Sequence, residues 1–565
     1  MPLGIIDAKL GKDAVLTGTV HLVRTSSTND SDHDTPSRGS ILKRTIYMGV
    51  DTVLVPQPSL NDPNDPLLWN NWQKEAAFWV IFFNTIIFAS LPGPMLSPAT
   101  FALAPILGVS ITKVAELSGY HLLVVAAIGP LVSILAQKYG KRPQFLFAAV
   151  TGTLGTAVCI AGSQRFQYDT IFAGRMIQGL GATAWESLAL AAIGDLFYLH
   201  ERGWRIAMMV ASSACTVSMT SIVSGVMAER LGYNVLFIAE LPFNLAGLIM
   251  TVALLPEMQF KRPAVTQQDI ASSSQSNSDA ETMAVKRHLD IDVTAAKNTI
   301  AETGVVTVPK KTLAQMLSPW SRQTYTDKNI IRLLAELFVN FINPAVLWIL
   351  TVSAVLNACF VASSYILSQI WSMPPYNLNI EQNGFFWAGA LIGGLFAIPV
   401  GSLCDWSAMI MSKWNGGVYE AEFRIPVNIL GAALSGLGWF LLMWVVDHPS
   451  TNGYFLGAFC LGCMAFSISV PSTSAGLYIL DTFPQRSSEI FIVQMMLKNF
   501  LFYSFSTFIN TWTTEAGPGT VFMVLGTVSL GLLTTCIPMY IFGKLNRRWI
   551  TSLYAKHRFL RGLAE

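Results

Sequence analysis

Charge is what this chain has least of. Asp, Glu, Lys and Arg make up 12% of its 565 residues, against about a quarter in an ordinary soluble protein. Roughly half of those charges sit in two stretches, 1–74 and 257–343, which leaves the rest almost bare. The formal net charge of +2 is too small to hold a polyanion, so nucleic acid is not an expected partner. Cysteine is also sparse. All seven (159, 215, 359, 404, 460, 463 and 536) fall in apolar stretches, which argues against a disulfide framework. Cys460 and Cys463 form a CxxC without a second pair, so packing is favoured over metal or redox chemistry. The apolar stretches carry no His, Asp or Glu cluster at metal spacing, and no GxxxxGK[ST] loop cradles a phosphate. An enzyme, a resident cofactor and ATP hydrolysis are therefore not expected. Residues 1–50 lack the charged and apolar regions of a secretory signal, so the first apolar run is expected to direct its own insertion.

What is present is apolar length. Hydrophobic residues reach 52% and the mean hydropathy is +0.47. Twelve runs stand out: 75–92, 112–136, 144–163, 169–194, 204–228 and 235–256, then 344–372, 383–404, 424–446, 453–480, 489–512 and 519–543. Each has about the twenty residues that a helix needs to cross a bilayer. Only helices and closed barrels satisfy their backbone in lipid, and the absence of period-two alternation selects helices. The expected fold is an all-α membrane protein of twelve transmembrane helices in two six-helix halves. The expected organisation is a cytosolic tail (1–74), a bundle (75–256), a partly disordered cytosolic central loop (257–343), a second bundle (344–546) and a cytosolic tail (547–565).

Orientation follows from basic residues. With the N-terminus in the cytosol, the inner loops hold Lys138, Lys141, Arg142, Arg202, Arg205 and Lys413, and the tail adds Lys544, Arg547 and Arg548. The outer loops hold Lys113, Arg165 and Arg230. The sequon at Asn29–Ser31 then faces the wrong side for glycosylation. The central loop includes a Ser-rich run, 271–280, of flexible composition. Its C-terminal part, about 311–340, has apolar residues at helical spacing, which predicts an amphipathic helix on the inner membrane face. Two six-span halves around such a loop suggest repeats related by an axis along the membrane normal, with substrate bound near the midplane and access alternating by rocking.

Several segments resemble the major facilitator superfamily. Gly174–Ala182 is similar to its fourth-helix RxxQGxG motif, with Arg175 and Gln178 at the polar positions. Ser133–Pro143 resembles the GxLaDRxGRR loop, although Ser133 and Gln137 replace its glycine and aspartate; Lys138, Lys141 and Arg142 supply the basic side. After span 8, Gly401–Asp405 keeps both features, and the resemblance implies that Asp405 caps a helix end and gates by pairing with Arg424 or Lys413. The lead-in Leu60–Trp72 looks like the DPxDPxNW segment of fungal drug:proton antiporter-like members, and Asp195–Gly203 like their DLFFxHERG loop. Residues 415–426 are a weaker match to that branch. One departure bears on direction: Thr220-Ser221 stands where the antiporters' span 5 motif places Gly-Pro, so a helix-5 kink is not expected.

An ionisable group inside a span is costly and points to function. Glu186 lies eleven residues after Arg175, about three turns on, and could carry a proton or a cationic substrate. His121, Glu240 and Lys498 are the other candidates, Lys498 needing a carboxylate partner or an anion. Asn84, Asn357, Tyr365, Gln369, Trp387, Phe502, Tyr503 and Trp512 could line a cavity for an amphipathic molecule. The resulting expectation is a monomeric secondary transporter of a small organic molecule, driven by protons, exporting a drug, toxin or secondary metabolite from the plasma membrane or a vacuole. Proton-symport import of a solute such as an amine is the first alternative, and a transporter-like nutrient sensor the second.

Overall fold

The computed structural model describes residues 4–6, 18–21, 44–47, 50–53, 59, 62–260, 310–320, 323–416, 418–450, 452–483 and 486–556. The Asn29 sequon and the Ser-rich run lie outside the described residues. Apolar sequence and internally satisfied backbone give twelve helical rods. In the first half they are Asn71–Leu107, Ile111–Tyr139, Arg142–Gln164, Tyr168–Ser187 with its continuation Ala189–Leu196, Leu199–Leu231 and Asn234–Leu254. The second half holds Pro344–Ser372, Ile380–Trp414, Ala421–Asp447, Gly453–Thr482, Ser487–Ala516 and a twelfth rod made of Pro518–Thr534 and Cys536–Lys556. These rods are spans 1 to 12 below. The chain is an all-α membrane protein. Small two-stranded pairs are its β-structure among the described residues: β1 (Thr19–His21) with β4 (Val418–Glu420), and β2 (Arg44–Tyr47) with β3 (Val50–Val53).

Ten of the twelve rods are long and apolar enough to cross a membrane by length and composition. The two that fall short are spans 4 and 11, which carry Arg175, Glu186 and Lys498. Of these polar residues, Glu186 and Lys498 lie where the two halves meet.

Several boundaries differ from the periodicity. Span 1 is far longer than 75–92, because a π turn at Thr85–Ser90 and a 3-10 segment at Pro94–Ala99 carry the helix on past Pro92 to Leu107. Span 8 continues to Trp414, so Asp405 lies inside a helix and does not cap an end. Span 12 runs on to Lys556. The amphipathic stretch 311–340 is not one helix. It forms Leu313–Met316 and Ile330–Val339, separated by Pro319, which cannot continue a helix. Span 5 has no Pro and runs as one uninterrupted helix.

The two lead-in resemblances meet in space. Asp65 accepts from Leu67 N–H at 3.1 Å and closes the turn before span 1. The Leu67 carbonyl then accepts from Lys74 Nζ at 2.8 Å and from Tyr198 Oη at 3.3 Å. Glu75 pairs with Arg205. The start of span 1 is thereby fixed to the start of span 5.

Candidate functional site

Polar side chains inside the bundle form three groups at different depths. The first is internal to the N-terminal half and is almost completely buried. Arg175 donates to the Pro92 carbonyl at 2.8 Å, where span 1 is irregular, and to Gln178 Oε1 at 3.2 Å. Its guanidinium also lies over the Phe237 ring. Gln178 Nε2 donates to both Glu240 oxygens, at 3.2 and 3.1 Å, and to Thr156. Asn244 Nδ2 donates to Thr156 and to Glu240. Gln178 thus relays between a cation and a carboxylate on spans 4 and 6. Glu240 is buried, at 3% exposure. His121 is fully buried with Nδ1 3.3 Å from the Arg175 carbonyl. Asn84 turns away from the second half and donates to Thr251 on span 6.

Arg175 and Glu240 are opposite buried charges bridged by Gln178, so removing one leaves the other buried without its counter-charge. Arg175→Leu is therefore expected to lower thermal stability in detergent sharply. The double variant Arg175→Leu/Glu240→Leu should lose less than the sum of the two single variants. Strict additivity in a melting series would show that Gln178 does not couple them.

The second group bridges the halves. Lys498 Nζ on span 11 donates to Glu186 Oε1 on span 4 at 2.6 Å, and Asn499 Nδ2 donates to Glu186 Oε2 at 3.1 Å. Both side chains stay partly accessible, Glu186 at 20% and Lys498 at 28%. The neighbouring Ser187 hydroxyl bonds back to the Thr183 carbonyl. Arg175 and Glu186 share a helix yet serve different neighbours, one inside its own half and one across the interface. Lys498 also lies over Phe502. Among the outer candidates, Tyr365 and Gln369 are buried, and Tyr365 Oη and Gln369 Oε1 have no protein partner among the described residues. Asn357 joins span 7 to span 10 through Ser472, while Trp387 is buried edge-on to Phe360.

The third group caps the side that carries the chain termini. In the N-terminal half, Lys141 Nζ pairs with Asp195 at 2.5 Å, at the end of span 4. Glu257, just beyond span 6, accepts from the backbone N–H of Lys141 and Arg142. Burial pushes its carboxyl above the usual range, against the pull of those N–H groups and of the Lys141 charge. Arg142 donates to the Val252 and Leu317 carbonyls, and Lys138 to that of Lys328. In the C-terminal half, Arg424 pairs with both Asp405 and Asp481 at 2.5 Å, and Tyr419 donates to Asp481. Arg547 grips Glu420 and Glu422, and Lys544 also holds Glu420. The polarity is exchanged between the halves: a basic loop meets an acid after span 6, and an acidic loop meets a base on span 12. Asp195, Glu257, Glu420, Glu422, Asp481 and Arg547 were not singled out as site residues from sequence. Each looks like an ordinary loop charge until its partner, tens to hundreds of residues away, is in place.

On the opposite side the halves close on one another. Ser97 Oγ donates to the Ser364 carbonyl, Arg230 pairs with Glu381 at 2.6 Å, and Ile380 N–H donates to Glu229. Spans 5 and 8 cross at Gly225 and Gly384 so tightly that a Cβ on Gly225 would lie 2.7 Å from the Gly384 Cα.

The chain is similar to known proteins. Residues 77–498 match the family profile described as Major Facilitator Superfamily. Protein HOL1 of Saccharomyces cerevisiae is 23% identical over 556 residues, covering 90% of this chain and 92% of that protein. An uncharacterized MFS-type transporter of Schizosaccharomyces pombe, C1271.10c, is 23% identical over 95% of this chain and 94% of its own length. The probable efflux pump mfs2 of Aspergillus flavus is 22% identical over 78% and 95%. Among solved structures, a peptide transporter POT in complex with sulfate has the same fold, with TM-score 0.52, 13% identity, and coverage of 83% of this chain and 94% of that one. With the profile spanning most of the chain, this protein is a transporter of the major facilitator superfamily.

Proposed function

We propose that this chain is a proton-coupled exporter of a small organic molecule, a drug, toxin or secondary metabolite, acting as a monomer in the plasma membrane. The Glu186–Lys498 pair carries this reading. It is the ion pair that joins the halves at membrane depth among the described residues, and it lies on the two spans that are too polar to pass as plain membrane helices. The halves are in contact on the far side, so this reading takes access to the pair from the side of the termini, the cytosolic side by the basic-loop rule. A proton or a cationic substrate arriving at Glu186 competes with Lys498 for one carboxylate. Winning that competition unties span 4 from span 11 and lets the halves rock. The proton gradient is then the energy source, with no bound cofactor. Arg175, Gln178 and Glu240 hold span 1 in position instead of contacting substrate, while Asp405, Arg424, Lys138, Lys141 and Arg142 hold the cytosolic gate. The Aspergillus flavus relative is named a probable efflux pump, which supports export.

Import of an amine by proton symport is the second reading. It is favoured by the unkinked span 5 with Thr220-Ser221 in place of Gly-Pro. Flux measured in proteoliposomes with imposed pH gradients separates the two. Export predicts organic cations moving against the proton flow, and symport predicts amines moving with it. Flux of both probe sets that ignores the gradient would defeat proton coupling.

A further inference from the structure

The N-terminal tail does not end at the half to which it is joined. Its strand β1 lies antiparallel to β4 of the C-terminal half, with Thr19 opposite Glu420, Val20 opposite Tyr419 and His21 opposite Val418. Ala421 N–H donates to the Gly18 carbonyl at 3.1 Å. Thr19 Oγ1 donates to Glu420 Oε2 at 2.7 Å and accepts from Arg547 at 3.4 Å. A second anchor lies upstream. Ile5, 1% exposed, fills an apolar pit made by Ala408, Phe423, Met411, Tyr419 and Tyr540, and Ile6 N–H donates to the Ile541 carbonyl at 3.2 Å. Gly18 has φ +85°, and a Cβ there would lie 2.9 Å from the Arg547 guanidinium, so the chain enters the strand at a point made for glycine.

We infer that this tail is an intramolecular strap that clamps the gating loop of the C-terminal half. β4 is three residues long and β1 is its sheet partner. A strand that short has no stability of its own, and strand addition supplies its main-chain bonds. The strand carries Tyr419, which donates to Asp481 and accepts from Arg424 Nε at 2.9 Å. Arg424 in turn holds Asp405. Seating β1 therefore sets Tyr419, and through it the whole ion cluster between spans 8, 9 and 10. Tension between the halves is not the mechanism. About 40 residues separate His21 from the turn at Asp62, and even with ten of them folded back in the β2–β3 hairpin the rest can reach roughly 100 Å, a tether with ample slack. The strap acts locally, on the loop that it covers. The gating clause rests on the role proposed above for Asp405 and Arg424; the docking does not.

Hydrogen–deuterium exchange of the full chain tests this without a known substrate. Ile5→Asp removes the apolar anchor, Val20→Pro removes a ladder donor, and a chain lacking residues 2–21 removes the strap. In all three, amides at 418–428 and 402–414 are expected to exchange about tenfold faster or more. Far-side peptides around 225–235 and 378–386 should keep their native protection, which shows that the fold is intact. A synthetic peptide of residues 1–24 added to the shortened chain should restore the lost protection. Unchanged exchange at 418–428 in every variant would overturn the strap. Loss confined to 418–421, with 402–414 and 423–428 native, would overturn its action on the gate while leaving failure of the transport reading a separate matter.

Discussion

Glu186→Gln is expected to abolish flux driven by a pH gradient while leaving the folded protein in the membrane. The neutral amide still accepts and donates hydrogen bonds, so Asn499 keeps a partner, but the carboxylate that holds Lys498 is gone. Lys498 alone in the interface is then an uncompensated cation at membrane depth. Removing one partner of such a pair costs more than removing both. Lys498→Met is accordingly expected to be at least as harmful as Glu186→Gln, and the double variant Glu186→Gln/Lys498→Met should recover stability without recovering proton coupling. Because both groups are about a quarter exposed, the coupling energy in the cycle should fall near 1–2 kcal/mol, inside the range measured for residues in one ionic network. The measurement is a melting series on four proteins together with gradient-driven uptake of fluorescent organic cations and of aliphatic amines. Driven uptake by Glu186→Gln at the native rate would remove the carboxylate from the coupling mechanism.

The second large effect is steric. Gly225→Leu places a side chain where the backbone of Gly384 already stands, and the added Cβ alone would lie 2.7 Å from its Cα and 3.0 Å from the Ile380 carbonyl. Two helix backbones in contact cannot yield as a flexible side chain would. Spans 5 and 8 are expected to separate on the far side, leaving the variant held open there and unable to complete a cycle. Spin labels at the far ends of the two spans should report a single long distance in Gly225→Leu and a mixture in the native chain. Gly436 meets nothing within 4 Å, so Gly436→Leu is the matched control and should transport normally. The Arg230–Glu381 pair nearby should matter much less, because Arg230 is 66% exposed and solvent-facing pairs contribute little.

The number of helices was legible because lipid imposes it. A backbone in hydrocarbon must satisfy itself, so apolar length translates directly into a helix. The breaks were harder to see. Pro92 lies at the expected end of span 1, but a π turn leads up to it and a 3-10 segment carries the helix on beyond it, with Arg175 taking the Pro92 carbonyl. Asp405 resembled a helix cap because a gate motif ended there; packing of the following turns made it mid-helical. The amphipathic pattern from 311 to 340 was real in each piece, yet Pro319 divided it.

Sequence by itself determined the solvent, the helical class, the twelve-span plan and the short set of polar residues that had to matter. Composition and period are properties of single segments, and a segment carries them wherever it goes. The tertiary structure alone decided partnership. Glu186 and Glu240 both stand out in the sequence as carboxylates within spans, but one faces Lys498 across the two halves and the other is locked with Gln178 inside its own. The docking of Thr19 on Glu420 and the hold of Arg547 on both acids of the loop were equally invisible. The physical reason is range: a charge pair acts over a few ångströms, and no local period records which distant residues folding will bring that close.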